Sequence, residues 1–261
     1  MSPNIYFSLP SMDMFKFPPA NDPATLAAPG APYSPFTIPQ SIYSEVYDAR
    51  MPLTIAAVYA VSAITMNKVN AARGNKPWGI SKTRWFHWLV ILHNVFLAVY
   101  SAWTFVGMIR GLKATIPNPK GPDGLIGVVD SLCKLHGPAG LTNSVEYSPA
   151  AGQYLDTSTG AANVTAATLS APGRLWNECL AFYGWFFYLS KFYEVVDTII
   201  ILAKGKKSST LQTYHHAGAM MCMWAGMRYM TPAIWLFCAW NSGIHALMVS
   251  YSVFLRSKAN C

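Results

Sequence analysis

Charge is what this sequence has least of. Asp, Glu, Lys and Arg make up 11% of its 261 residues, against roughly 25% in soluble globular domains. Long stretches carry nothing to keep them in water, which excludes an ordinary soluble domain. Acid is scarcer still, and the formal net charge is +8. The basic residues nevertheless form no face interleaved with aromatics, so nucleic acid is excluded as a partner. They stand in short clusters at the ends of apolar runs, as membrane anchors do. The five cysteines include no CxxC pair, which excludes a zinc ribbon and a thioredoxin motif. Residues 1–50 have no basic stretch followed by an apolar one, so a cleavable signal peptide is not expected. Rich in Pro, Ser and Ala, they read as a loosely ordered tail.

Apolar runs are abundant. A helix needs about 20 mostly apolar residues to cross the hydrocarbon of a bilayer. Met51–Asn67, Trp85–Ile109, Cys179–Ala203, Ser208–Met227 and Thr231–Leu255 meet or approach that length. The expectation is an all-α, polytopic transmembrane bundle with about five spans. Buried helices of a soluble protein are the competing reading, and the length of the runs argues against it. The loop 68–84 carries Lys68, Arg73, Lys76, Lys82 and Arg84 with no acid. Lys204, Lys206 and Lys207, and then Arg256 and Lys258, fall on the same side in a five-span topology. Lysine and arginine mark the cytosolic side. The N-terminus and the loop 110–178, which balances five basic against five acidic residues, are then expected in the lumen. Asn163-Val164-Thr165 in that loop is a glycosylation sequon, and Cys133 and Cys179 would both meet an oxidising compartment. The segment from about Ala150 to Pro172 reads as flexible.

The exceptions inside the apolar runs carry the chemistry. In SKFYEVVDT, residues 190–198, Lys191, Glu194, Asp197 and Thr198 recur at helical spacing and share one stripe. An ionisable side chain at the bilayer centre costs about 2.5–3.5 kcal/mol on insertion scales. Three of them are tolerable only if the stripe faces a bundle interior or a wet cavity, where Lys191 and Glu194 can pair. A structural ion pair is the plainer alternative. The next run places Gln212, His215 and His216 one turn apart, and the last places Asn241 and His245 likewise. Three successive segments thus offer inward polar groups, two of them with imidazoles. His93, His87 and His136 read as ordinary packing or surface residues.

Two chemistries compete for these groups. Membrane oxygenases hold two irons with about eight histidines, whereas this chain has six in all. Adjacent histidines such as His215 and His216 diverge by about 100° around a helix and rarely reach one ion. No metal is therefore expected. In acyl transfer, an imidazole attacks a thioester and carries the acyl group, splitting one hard step into two. A second imidazole moves protons, and lysine, carboxylates and amides orient the rings and stabilise oxyanion or enolate charge.

KFYEVVDT (191–198), LQTYHH (211–216) and NSGIHALM (241–248) resemble, in order and spacing, the KxxExxDT, HxxHH and NxxxHxxMYxYY boxes of the very-long-chain fatty acid elongases. The resemblance covers about residues 51–255. Gln212 in the first position of the histidine box is similar to the fungal, algal and plant-type polyunsaturated fatty acid elongases. The resemblance implies a seven-span enzyme of the endoplasmic reticulum membrane. Such an enzyme condenses malonyl-CoA with a fatty acyl-CoA, here of polyunsaturated C18 type, giving 3-oxoacyl-CoA, CO2 and CoA without a cofactor. It also implies catalytic roles for His215 as acyl acceptor, His216 as base or orienter and His245 as a substrate contact. Lys191, Glu194, Asp197, Thr198, Gln212, Asn241 and Tyr251 would line the substrate chamber, and Met220, Met223 and Trp224 an acyl tunnel. Partners would be the two CoA thioesters, membrane lipid, the other enzymes of the elongation cycle or a second copy. Two departures stand out. Val249, Ser250 and Ser252 replace expected residues around Tyr251, and no TxxQxxQ box or further pair of spans follows. The domain 51–261 is therefore expected to be an elongase domain shortened at its C-terminal end. The alternative is an inactive homologue acting as an interaction partner of the elongation machinery. A receptor or carrier is a third reading, which the ordered boxes disfavour.

Overall fold

A computed structural model describes residues 34–116, 176–228 and 234–259, with residue 12 and short pieces between 118 and 156. Seven α-helices run in chain order among the described residues: α1 (Gln40–Glu45), α2 (Arg50–Ala72), α3 (Arg84–Thr115), α4 (Trp185–Tyr193), α5 (Val195–Ala203), α6 (Thr210–Arg228) and α7 (Ile234–Ala259). A π-helical segment, Trp176–Gly184, leads into α4. β1 (Val145–Ser148) and β2 (Gln153–Asp156) form an antiparallel hairpin. Gly152 closes its turn at φ +64, a left-handed conformation that glycine adopts without strain.

The outward faces of the long helices are apolar. On α2, Val58, Val61 and Ile64 are exposed, and on α3 so are Trp85, Trp88, Leu89, Leu92 and Val99. Among the described residues, α2 and α3 are the two helices long and apolar enough to cross a membrane. Only 17% and 22% of their apolar windows are buried within the protein. A core helix of a soluble domain is mostly covered, whereas these faces are left for hydrocarbon. At 1.5 Å per residue, α3 is about 48 Å long and reaches well past the roughly 30 Å of bilayer core. The Thr83 hydroxyl caps its start by accepting from the Phe86 N–H at 3.2 Å, as N-cap threonines do.

The third expected span is helical throughout. It passes from the π-helix into α4 and runs on into α5 through Glu194, which keeps right-handed helical angles of φ −60 and ψ −14. The polar stripe sits at this joint, where the Asp197 N–H bonds to the Glu194 carbonyl three residues back at 3.1 Å. Helix α3 packs along α7 and the π-helix, α2 along α6, and α4 lies among α6 and the π-helix. The main core gathers Met108, Leu180, Phe182, Tyr188, Met223 and Met227, and a second cluster joins Ala56, Tyr59, Ala63 and Met220.

The end of the supposed tail is part of this core. Tyr43 and Tyr47 are each 1% exposed. The Tyr43 hydroxyl donates to the Ala181 carbonyl at 3.1 Å, and Tyr188 donates to that of Val46 at 3.1 Å. The Trp224 indole N–H donates to the Tyr47 carbonyl at 2.9 Å. Residues 38–49 are therefore docked rather than loose. Tyrosine explains it, since an apolar ring buries well, and the Tyr43 hydroxyl also finds a backbone partner. Composition alone, dominated by Pro, Ser and Ala, hides that contribution. Burial also pushes both phenols well above their ordinary value of 10.0. In the loop 110–178, residues 153–156 form a strand rather than a flexible segment. Cys133, His136 and Asn163 lie outside the described residues.

Candidate active site

The site is built around Glu194, where α4 runs into α5. Lys191 closes α4 and is 1% exposed. Its ammonium donates to Glu194 Oε1 at 2.6 Å and to Asn241 Oδ1 of α7 at 2.8 Å. It also stands 4.1 Å from the centre of the Phe187 ring, where the negative ring face meets the remaining positive charge. Glu194 is 3% exposed. Its second oxygen faces His216 Nδ1 at 3.3 Å, without the alignment of a hydrogen bond. A buried ion pair survives in an apolar surrounding when its remaining donors and acceptors find partners; Asn241 supplies one for the ammonium, while Glu194 Oε2 has the His216 ring only as a close neighbour. Lys191, Glu194, Asn241 and His216 thus tie α4, α7 and α6 together.

His216 and His215 have opposite surroundings. His216 is 7% exposed and meets the Tyr59 ring edge-on at 6.1 Å. His215, one residue earlier and about 100° around the helix, is exposed on α6. Their ring centres are 5.6 Å apart. His245 on α7 is half-buried, on the same helix as Asn241. Thr198 is buried and shares a hydrogen bond with the Tyr59 hydroxyl at 2.9 Å. Gln212 Nε2 donates to the same threonine oxygen at 3.4 Å. The spacing of these residues therefore brings Lys191, Glu194, Asn241 and His216 into one network, with Gln212 and Thr198 on its flank. Tyr251 lies on α7, and its side chain is outside the described residues.

Asp197 does not join the lysine. It turns to α3, where His93 Nε2 lies 2.9 Å from its Oδ1. The other ring nitrogen of His93 is 3.1 Å from the Tyr193 hydroxyl. An ionised Asp197 accepts from the Nε2–H tautomer, which leaves Nδ1 to accept from Tyr193. His93 is 5% exposed and is a hydrogen-bonded packing residue between helices, with Asp197 as the partner that the sequence did not name. The signal was present in principle, because Asp197 needed a partner and His93 is the imidazole of the preceding apolar run. Met220, Met223 and Trp224 are packed in the core. Among the described residues, no three His, Cys, Asp or Glu side chains gather around a point that could hold a metal ion.

This is a polytopic membrane protein with a buried lysine–glutamate pair beside two imidazoles of the next helix. Residues 46–259 match the ELO family, described as the GNS1/SUR4 family, and the chain belongs to it. It is 26% identical over 180 residues to "Fatty acid elongase A" of Dictyostelium discoideum, covering 66% of this chain and 60% of that protein. It is 32% identical over 75 residues to "Very long chain fatty acid elongase 3" of Homo sapiens, covering 29% of this chain and 28% of that protein. It is 30% identical over 83 residues to "Fatty acid elongase 2" of Trypanosoma brucei brucei, covering 32% and 31%. The chain thus matches about three-fifths of the first relative's length and less of the others. No solved structure matches it.

Proposed function

We propose that the chain carries the condensing step of fatty acid elongation, joining malonyl-CoA to a long-chain fatty acyl-CoA. The observation that carries this reading is the accessible imidazole of His215 beside a second, His216, which is buried against a lysine-paired glutamate. A nucleophile has to be reached by its substrate, and an orienting group has to be held. An imidazole nitrogen of His215 attacks the thioester carbonyl, forming a C–N bond as the C–S bond breaks, and CoA leaves as a thiolate that takes a proton. Malonyl-CoA then loses CO2, and the resulting enolate carbon attacks the acyl-imidazole. A C–C bond forms, His215 is released, and 3-oxoacyl-CoA results. Glu194 holds the His216 ring, and Lys191 fixes Glu194 and Asn241. His245 contacts the malonyl or acyl group near the developing oxyanion. Gln212, bound to Thr198, supports a polyunsaturated C18 acyl chain as the preferred substrate. The reading includes the endoplasmic reticulum membrane with a lumenal N-terminus, since the basic loops around Arg73 and Lys206 mark the cytosolic side. They also attract the CoA phosphates. The other enzymes of the cycle are the natural partners, because a 3-oxoacyl-CoA has to be reduced and dehydrated next.

Microsomes expressing the chain, given labelled malonyl-CoA and a C18 polyunsaturated acyl-CoA, test the proposal. Labelled 3-oxoacyl product from the wild type and none from His215→Ala is the expected result. Equal product from both ends the nucleophile assignment.

A further inference from the structure

A cleft of about 480 Å³ opens between α2 and α5, away from the imidazoles. Its walls are Thr54, Ile55, Val58, Ser62 and Met66 of α2 and Val195, Ile199 and Leu202 of α5. Thr54 to Met66 spans about 18 Å of helix, the length of a fatty acyl chain. Hydroxyls are the only polar side-chain groups among these residues. The inner wall is sealed by the Tyr59–Thr198 hydrogen bond of 2.9 Å, which stands between the cleft and His216. The outer side is open, with Val58 60%, Ile199 56% and Ile80 63% exposed. In a membrane this opening faces hydrocarbon.

One end of the cleft is built and charged. Trp78 forms that end, fixed by its backbone N–H on the Ala203 carbonyl at 3.0 Å and its indole N–H on Asn70 Oδ1 at 2.8 Å. Asn70 is fully buried and donates in turn to the Leu202 carbonyl at 2.8 Å. Gly205, at φ +72, presses on the Asn75 carbonyl with no room for a side chain, which keeps the two connecting loops together. The Arg73 guanidinium lies 4.1 Å over the ring of Trp78, which closes this end. Lys204 follows the wall residue Ala203, and Lys68, Lys76, Lys82, Arg84, Lys206 and Lys207 are exposed on the same loops and helix ends. Residues 68–84 and 204–208 contain no acid.

We propose that the α2–α5 cleft binds one acyl chain of an anionic phospholipid from the leaflet on its basic side, with the phosphate at Arg73. An apolar trough open to hydrocarbon takes the chain laterally, and a cationic rim at the interface selects an anionic head, each nearby cation favouring it by about five-fold. A CoA thioester fits this cleft less well, because nothing in its lining addresses a thioester and the wall at Tyr59 separates it from the imidazoles. The inference rests on the membrane-spanning fold and not on the condensing reaction, so it stands or falls separately.

The test is native mass spectrometry of the purified full chain released from micelles holding equal phosphatidylserine and phosphatidylcholine. The expected result is one retained phosphatidylserine, enriched over phosphatidylcholine and reduced about five-fold by Arg73→Gln. Ser62→Trp, which fills the trough from its exposed side, should remove the bound lipid. If Ser62→Trp is not monodisperse, Val58→Trp fills the same trough. Equal retention of both lipids, retention that survives the filled trough, or displacement by equimolar acyl-CoA would each overturn the proposal.

Discussion

His93 of α3 stands 2.9 Å from Asp197 of α5 and 3.1 Å from the Tyr193 hydroxyl of α4, so one imidazole contacts the helix on both sides of Glu194. His93 is 5% exposed and Asp197 34% exposed, so the bond is largely shielded on the imidazole side. Removing the histidine leaves a carboxylate beside apolar neighbours without its donor. We expect His93→Phe to lower stability by about 1–3 kcal/mol, the range for losing a buried hydrogen-bond partner. His93→Gln, whose amide N–H reaches a similar position, should recover part of it. Thermal unfolding of the three proteins in one detergent measures the difference, and equal midpoints would show that the bond contributes nothing.

The Lys191–Glu194 pair gives a sharper asymmetry. Removing one member of a buried ion pair costs about 3–5 kcal/mol, whereas replacing both with apolar residues is often neutral. Lys191→Met should therefore be destabilised more than the double variant Lys191→Met with Glu194→Leu. A double variant that unfolds earlier than the single one would mean that an unpaired Glu194 carboxylate is not what destabilises Lys191→Met.

His215 and His216 separate activity from stability. His215→Ala removes an exposed side chain and should change stability by about 0.5 kcal/mol or less, while abolishing condensation. His216→Ala leaves Glu194 without its imidazole neighbour and should lose both folding stability and product. Unfolding midpoints and labelled-product yields from the same preparations distinguish the two. A large stability loss in His215→Ala would contradict the exposed position.

Tyr43 and Tyr47 predict an alkaline limit. Burial raises both phenols above 10.0 in the folded chain, so the unfolded chain releases their protons first. Their contribution is complete below pH 10 and is lost as the pH rises above 10 towards the folded values. Unfolding midpoints should be flat from pH 8 to about pH 10 and then fall. In Tyr43→Phe that fall should be smaller. A fall that begins near pH 9 would have another origin.

Much of the site was legible because lipid leaves so few reasons for a polar residue. Lys191, Glu194, Gln212, His215, His216, Asn241 and His245 stand out against apolar neighbours, and helical spacing puts them one turn apart. The division between the two adjacent histidines was not legible. Which of His215 and His216 is buried depends on how α6 is rotated against α2 and α4, a matter of packing rather than of spacing. The pairing of His93 with Asp197 was not legible because the two lie 104 residues apart, and one helix cannot show what faces it from another. Tyr43 and Tyr47 were missed because an average over residues 1–50 weighs two aromatic anchors no more than their many Pro, Ser and Ala neighbours.

By itself the sequence determined the membrane class, the run of apolar helices and the set of polar groups they carry, since burial in hydrocarbon is a property of composition along a helix. Tertiary structure decided the rest. It turned Lys191 towards Asn241 and Asp197 towards His93, buried His216 but not His215, and left an apolar trough beside a basic rim. These depend on which helix faces meet, and that is settled by the packing of all the helices together.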